Sequence, residues 1–289
     1  PTLINEASLK AQYLELPSYS LIANDLLAKI DPKKHVINKD SKWPYIKLAT
    51  RSIEFNKLTL NTPTLGIELN KYPSVAFCGT TGSLNGAASL DGYINTQNRS
   101  GKLHANGSLD LIGLATEKVS EKLPEFIFET PPYYQAELNL GPNFTLREAQ
   151  IKANINNLRI EDIVFDKVRA NTSFRDGIYT IKDAHICRNQ QQLHLGLSID
   201  SHNNDYQSSL IGSIIPDDYT TLLPRWWASI FKDFNFSGNQ HAIANFNIYG
   251  NTQAKSSNLY YGRAKAHNFS YKDVAIDEVD LIVRGRNNY

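Results

Sequence analysis

Along most of this chain apolar and polar residues take turns one by one, and that period of two is the feature that most restricts the fold. From Leu193 to Asp200, Leu193, Leu195, Leu197 and Ile199 alternate with His194, Gly196, Ser198 and Asp200, which gives a strand with one apolar and one polar face. Val168, Ala170, Thr172 and Phe174 alternate in the same way with Arg169, Asn171, Ser173 and Arg175. Asp176-Gly177 follows, then a new run from Ile178, so this stretch reads as a β-hairpin. Further strands are expected at Ile53 to Leu60, Leu65 to Leu69, Leu103 to Leu111, Gln135 to Leu140, Ala242 to Tyr249 and Val279 to Val283. The expected class is mainly β and antiparallel.

Two stretches depart from the period. Asp217 to Phe231 places Tyr219, Leu222, Leu223, Trp226, Ile230 and Phe231 at spacings of three and four, with Pro224 opening a new helical turn. Thr116 to Phe128 does the same with Val119, Leu123, Phe126 and Ile127 around Leu123-Pro124. Both read as short amphipathic helices. The chain also echoes itself: NLRIEDIVFDKV from Asn157 aligns with NFSYKDVAIDEV from Asn268, and KLATRSIEFNKL from Lys47 keeps much of the same apolar pattern. LHANGSLD from Leu103 and LHLGLSID from Leu193 match at a shorter offset, as though the first unit carried an extra hairpin around Gly79 to Asn98. The expected organisation is one elongated domain: a partial unit at 1–45, β-repeats at 46–134 and 135–233, and the start of a third at 234–289.

Charge and composition exclude several functions. Thirty Lys and Arg against 29 Asp and Glu leave a net charge of +1, so no long-range field gathers phosphate backbones, and nucleic acid is not an expected partner. The chain opens on Pro1 and has no Met, which reads as a piece of a longer protein, and no apolar run is long enough for a spanning helix. Cys78 and Cys187 belong to no ligand pair and occupy similar points of successive units, too far apart to bridge. The seven histidines, His104 and His194 among them, show no metal-ligand spacing and read as solvated strand residues. Ser229-Ile230-Phe231-Lys232 fits SxxK without the companion motifs of serine acyl enzymes. The glycines from Gly79 to Gly86 lack the Lys-Ser/Thr of a phosphate loop and read as a hairpin turn. Asp162, Asp166, Asp273 and Asp277 have no calcium-loop context and read as turn and strand-end residues. Six Asn-x-Ser/Thr sequons are chance matches in an Asn-rich chain. No enzyme, cofactor or metal site is expected.

What remains is a long apolar face without a reacting group. A strand of about ten residues spans some 33 Å, and twisted successive strands form a trough. The residues expected to line it are Phe55, Leu58, Phe165, Val168, Ala170, Phe174, Leu193, Leu195, Leu197, Ile199, Phe246, Ile248, Ile276, Val279 and Leu281. Phe126, Leu223, Trp226 and Trp227 are expected on helices packed against it. A closed core could fill such a trough, and so could acyl chains, since each buried CH₂ contributes roughly 0.8 kcal/mol. A uniformly apolar lining would let a chain slide between positions of nearly equal energy.

Asn157 to Asp200, with its F-D-x-V strand, its D-G-x-Y hairpin and a Gly-containing alternating strand, resembles the AsmA-like C-terminal repeat, as does DDYTTLLPRWWASIF from Asp217. The resemblance extends more weakly over most of the chain. It implies an AsmA or TamB-type envelope protein of a diderm bacterium, similar to bridge-like lipid-transfer proteins. Such a protein has an open taco-like β-groove in the periplasm, an anchor in the inner membrane outside this segment, and phospholipid as its partner. The family pattern supplies no catalytic residue. The alternative is a structural or adhesive β-protein that binds glycans through exposed aromatic residues. An outer-membrane barrel fits less well, because Arg284 to Tyr289 lacks a terminal alternating run.

Overall fold

The structure, a computed structural model, describes residues 7–16, 21–31, 45–55, 58–69, 73–83, 86–108, 126–215, 218–219, 232–236, 241–254 and 258–286. Among them the regular structure is almost entirely strand. The first ten are β1 (Ala7–Leu16), β2 (Leu21–Asp31), β3 (Tyr45–Ala49), β4 (Ser52–Phe55), β5 (Leu58–Leu69), β6 (Ser74–Ser83), β7 (Gly86–Asn95), β8 (Ser100–Ser108), β9 (Phe126–Phe128) and β10 (Tyr133–Leu140). A 3-10 turn, Pro142–Phe144, precedes β11 (Leu146–Ile160), β12 (Ile163–Arg175), β13 (Ile178–Arg188), β14 (Gln191–Asp200) and β15 (Asp205–Ile214). Then come β16 (Phe234–Asn235), β17 (Ala242–Asn251), β18 (Leu259–Tyr271) and β19 (Val274–Arg286). Every described register is antiparallel, as the alternation requires.

The chain divides into two compact units, Pro1–Leu123 with Thr130–Ile151, and Pro124–Glu129 with Lys152–Tyr289. In the first unit β1 pairs with β2, and β2 pairs with both β3 and β4, which are two parts of an interrupted strand. β5 spans both parts on their other side, and β6, β7, β8 and β10 follow in order. In the second unit β12, β13, β14, β15, β17, β18 and β19 are successive neighbours. The short strands β9 and β16 pair with β11 and β18 respectively. Neither unit closes on itself: among the described pairings β1 has only β2 and β19 has only β18.

Tight turns hold these registers. Asp176 and Gly177, with φ of 46° and 83°, form the two-residue turn between β12 and β13 where Asp-Gly predicts it, because a hairpin that follows the natural strand twist needs left-handed backbone at both positions. Lys272-Asp273, at 45° and 65°, turns β18 into β19. Asn189 at 51° and Glu161 at 54° begin the turns into β14 and β12. Asp162 and Asp273 are turn residues as expected, and Asp166 accepts a bond from the Asn189 N–H at 2.5 Å. Asn157 and Asn268, equivalent in the sequence alignment, both have left-handed backbone, at 50° and 48°, three residues before their strands β11 and β18 end.

Several expectations are corrected. Ile53 to Leu60 is a hairpin rather than one strand, with Phe55 opposite Leu58. The reversal of phase from Ile53 and Phe55 to Leu58 and Leu60 marks the turn. Phe126 and Ile127 lie in β9, not in a helix, because the edge of β11 at Arg159 and Ile160 offers them ladder partners. Residues 109–125, with most of the first expected helix, lie outside the described residues, as do Leu223, Trp226 and Trp227 of the second. Gly79 and Gly82 belong to β6, whose last residue, Ser83, pairs with Gly86 of β7. Cys78 is in mid-strand, opposite Gly66 and Asp91, while Cys187 is one residue from the end of β13, so the two do not occupy similar points of their strands; both are free.

A side chain at Gly177 would meet Ser201 Oγ at 2.9 Å and the His202 ring as well as requiring left-handed backbone. Gly177→Ala is therefore expected to lower stability by about 1–3 kcal/mol, as a fall in the urea midpoint at unchanged m-value.

Candidate functional site

In an antiparallel ladder residues directly opposite one another project to the same side, so the registers of the second unit define its two faces. One row across seven strands runs Val168, Ile186, Leu193, Gly212, Ala244, Ala264 and Leu281. The next runs Ala170, Ala184, Leu195, Leu210, Phe246, Gly262 and Val283, and the one after it Thr172, Ile181, Leu197, Ser208, Ile248, Tyr260 and Gly285. A further row holds Phe174, Tyr179, Ile199, Tyr206 and Gly250. At a strand spacing of about 4.8 Å the seven-strand rows extend roughly 29 Å.

A bulge in β13 keeps the rows aligned. Asn171 pairs with Asp183 but Thr172 with Ile181, so Lys182 is the extra residue and Ile181 and Ala184, three apart, return to one face. Gly262 has a packing role: a Cβ there would overlap the Phe246 ring, which lies across the glycine. Most of this apolar face is half-buried rather than sealed, with Leu195, Leu197, Ile199, Leu210, Phe246 and Ile248 all in the intermediate range.

Burial rises toward one end of the strands. Leu193 is 5% exposed and Ala244 1%, while Leu158, Ile163 and Phe165 form a buried cluster with Val168, Ile186 and Tyr219 packed against it. Ala242, Ala266 and Phe269 form another with Ile214, Phe234, Phe236, Ile276 and Val279. The segment after β15 is tied down at this end by Gln191, itself 1% exposed, whose Oε1 accepts from the Ile215 N–H at 2.7 Å and whose Nε2 donates to Asp218 at 2.5 Å. Asp218 also faces Arg188 Nε at 3.6 Å, and the Arg188 guanidinium lies over the Tyr219 ring. Burial is the chief cause that pushes the Tyr219 hydroxyl up to about 12; Arg188 lowers it and Asp218 raises it, each by less.

The opposite face is polar and more exposed. His194 donates from Nδ1 to Asp183 at 3.0 Å and lies beside His185, and Cys187 is 3.8 Å from His185 Nε2. Asp280 is held down to about 2, first by its hydrogen bond from Arg263 and also by Lys265. In the first unit His104 lies 3.8 Å from Glu137, which also pairs with Lys102. Among the described residues no group of three metal-ligating side chains is placed to hold an ion.

Rows of the same kind cross the first unit: Ile46, Ile67, Phe77, Gly92, Leu103 and Leu138 share one, which continues through Ile30 and Ala7, and Leu48, Leu65, Gly79, Leu90, Ala105 and Ala136 the next, which continues through Ala28 and Leu9.

Val168, Ala170, Phe174, Leu193, Leu195, Leu197, Ile199, Phe246, Ile248, Val279 and Leu281, from four strands, therefore share a face. Phe165 and Ile276 pack onto the clusters at its buried end, and Leu281, on the edge strand, is 50% exposed. Phe55 and Leu58 pair with each other in the other unit. Sequence reasoning missed Ala184, Ile186, Leu210 and Ala264, and also Gln191. The first four carried a signal in the apolar character of β13, β15 and β18, blurred by the bulge and by interspersed Ser and Gly; Gln191 carried none, because its role depends on a segment 24 residues later.

No protein-family model matches this chain, and no curated protein or solved structure matches it either.

Tyr219 stays neutral in the fold, so its contribution to closing this end is fully present below pH 10, the ordinary tyrosine value, and is lost as pH rises toward about 12. A phenolate absorbance titration is expected to show a tyrosine ionising near 12 that Tyr219→Phe lacks.

Proposed function

We propose that the apolar face of β12 to β19 binds lipid acyl chains and that the protein is a non-enzymatic periplasmic lipid-transfer or envelope-biogenesis component of the AsmA and TamB type. The observation that carries this reading is the set of register rows: apolar side chains from seven strands share one face, and Leu195, Leu197, Ile199, Leu210, Phe246 and Ile248 in their middle stay half-buried, with no sealed core over them among the described residues. A leucine left in this state keeps much of the roughly 1.5–3 kcal/mol that full burial of its side chain would contribute, and an acyl chain laid along a row supplies that burial. Polar groups interrupt the central rows little, so a chain moving across strands meets similar surface at each step.

The reading extends to a repeated architecture. Asn157 and Asn268 share a left-handed backbone, the two-residue turns that follow carry Asp162 and Asp273, and β9 pairs with β11 much as β16 pairs with β18. These local likenesses support the sequence alignment that suggested an array of units and favour a groove lengthened by repetition. The inner-membrane anchor would belong to another part of the protein.

A second reading, adhesion through exposed aromatics, draws on Tyr249 and Tyr261 on the polar face, where Arg284 lies 5.5 Å from the centre of the Tyr261 ring. Stacked Tyr and Arg side chains of that kind suit a flat sugar ring or a protein surface.

Native mass spectrometry of gently purified protein is expected to show co-purifying phospholipid. Leu195→Asp should lower its occupancy by about tenfold or more, the loss of one buried leucine contact. A lipid-free mass with glycan retention that depends on Tyr249 and Tyr261 would favour adhesion and defeat the lipid reading.

A further inference from the structure

The apolar face is polarised along its strands, and we infer that a bound amphiphile has one orientation, with its tail toward Leu193 and Ala244 and its polar head at the rim formed by Tyr206, Tyr260 and Asn258. This rests on the acyl-binding reading above and adds the direction in which the ligand lies.

Three observations converge. The first is the course of burial. β14 and β17 are buried at their first and third residues and only half-buried afterwards, and β12, running parallel to β14 in the alternation of strands, is buried at Ile163 and Phe165. The deep end is the same in all three.

The second is chemistry. The rows through Leu193 and Leu195 contain only Gly, Ala, Val, Leu, Ile and Phe. The two rows beyond them bring in Thr172, Ser208 and Tyr260, then Tyr179 and Tyr206. Tyrosine suits a boundary of this kind, since its ring covers apolar surface while its hydroxyl serves a polar group. Asn258 stands beside Gly250 at this rim, where a Cβ on the glycine would overlap its amide oxygen. It is 8% exposed, and its Oδ1 has no hydrogen-bond partner. A buried acceptor left unmatched is costly, and a donor from a headgroup would satisfy it. Burial raises the Tyr206 hydroxyl above the ordinary tyrosine range, with Tyr260 adding to the effect, so it stays a neutral donor at any ordinary pH.

The third observation disfavours the opposite orientation. The cation at the deep end, Arg188, is already neutralised by Asp218 at 3.6 Å and lies over the Tyr219 ring, and Gln191 is used on both sides of its amide, so the two polar atoms there without a hydrogen-bond partner, Arg188 Nε and the Tyr219 hydroxyl, sit beside a carboxylate that repels an anionic head. A phosphate or carboxylate arriving there would have to displace this network. The head class that suits the rim offers a hydrogen-bond donor for Asn258 and an oxygen to accept from tyrosine hydroxyls, as an amine-bearing phospholipid does.

The test uses the whole chain and two probes: a phosphatidylethanolamine with a photoactivatable diazirine on its headgroup, and the same lipid with the diazirine at the methyl end of an acyl chain. Adducts are mapped by peptide mass spectrometry, with unlabelled lipid as competitor. The headgroup probe is expected to label peptides containing Tyr206 and Tyr260 at least fivefold over those containing Phe165 and Leu193, and the tail probe to show the reverse. Tyr206→Phe with Asn258→Leu should cut headgroup labelling at the rim about two- to tenfold per hydrogen bond lost while tail labelling near Leu193 persists. Equal or inverted labelling of the wild-type chain by the two probes overturns the orientation and leaves acyl binding standing. Competed adducts on neither end, with both probes, overturn acyl binding and the orientation with it.

Discussion

The fold depends on register. In a strand whose side chains alternate, a slip of one residue would turn every leucine of β14 outward and every polar partner inward, so pairing is fixed wherever one face is apolar. The two-residue turns at Asp176-Gly177 and Lys272-Asp273 set that register locally, each through left-handed backbone that suits the strand twist. The step from Ile186 to Leu193 is set by such a local turn, whereas the step from Gly212 to Ala244 joins two strands far apart in sequence and rests on their apolar faces matching.

The same register sorts chemistry to two sides. One side carries aliphatic rows, and the other carries Asp183 with His194 and Asp280 with Arg263, in exposed pairs that contribute solubility more than stability. Where the aliphatic side is most covered, a single buried glutamine binds the chain segment that lies over it through an N–H and a carboxylate. Gln191 thus does what a hydrophobic residue could not, because Ile215 N–H and Asp218 would otherwise be left without these bonds.

Much of this was legible in the sequence. Alternation named the strands, Asp-Gly named a hairpin, and the leucines of β14 and the apolar residues of β12 and β17 were assigned to the side they share. The failures have physical causes. Ile53 to Leu60 was read through a turn because its phase reversal is only one residue long. Phe126 and Ile127 fell at a helical spacing, yet three residues beside a free ladder edge pair as a strand whatever their local pattern. The bulge at Lys182 broke the period in β13 and hid Ala184 and Ile186, and Phe246 lying across Gly262 is a relation between strands that no single segment records. Tyr206 and Asn258 were likewise invisible as a pair, since 52 positions of sequence separate two residues that meet beside Gly250.

The two-residue turns have an evolutionary consequence. A hairpin that brings its own turn and its own register can be duplicated as a block, because the copy presents its greasy side in the same sense as the original and needs no compensating change in the strands beside it. Selection could therefore adjust the span of such a surface by counting hairpins, leaving the residues that make each one untouched.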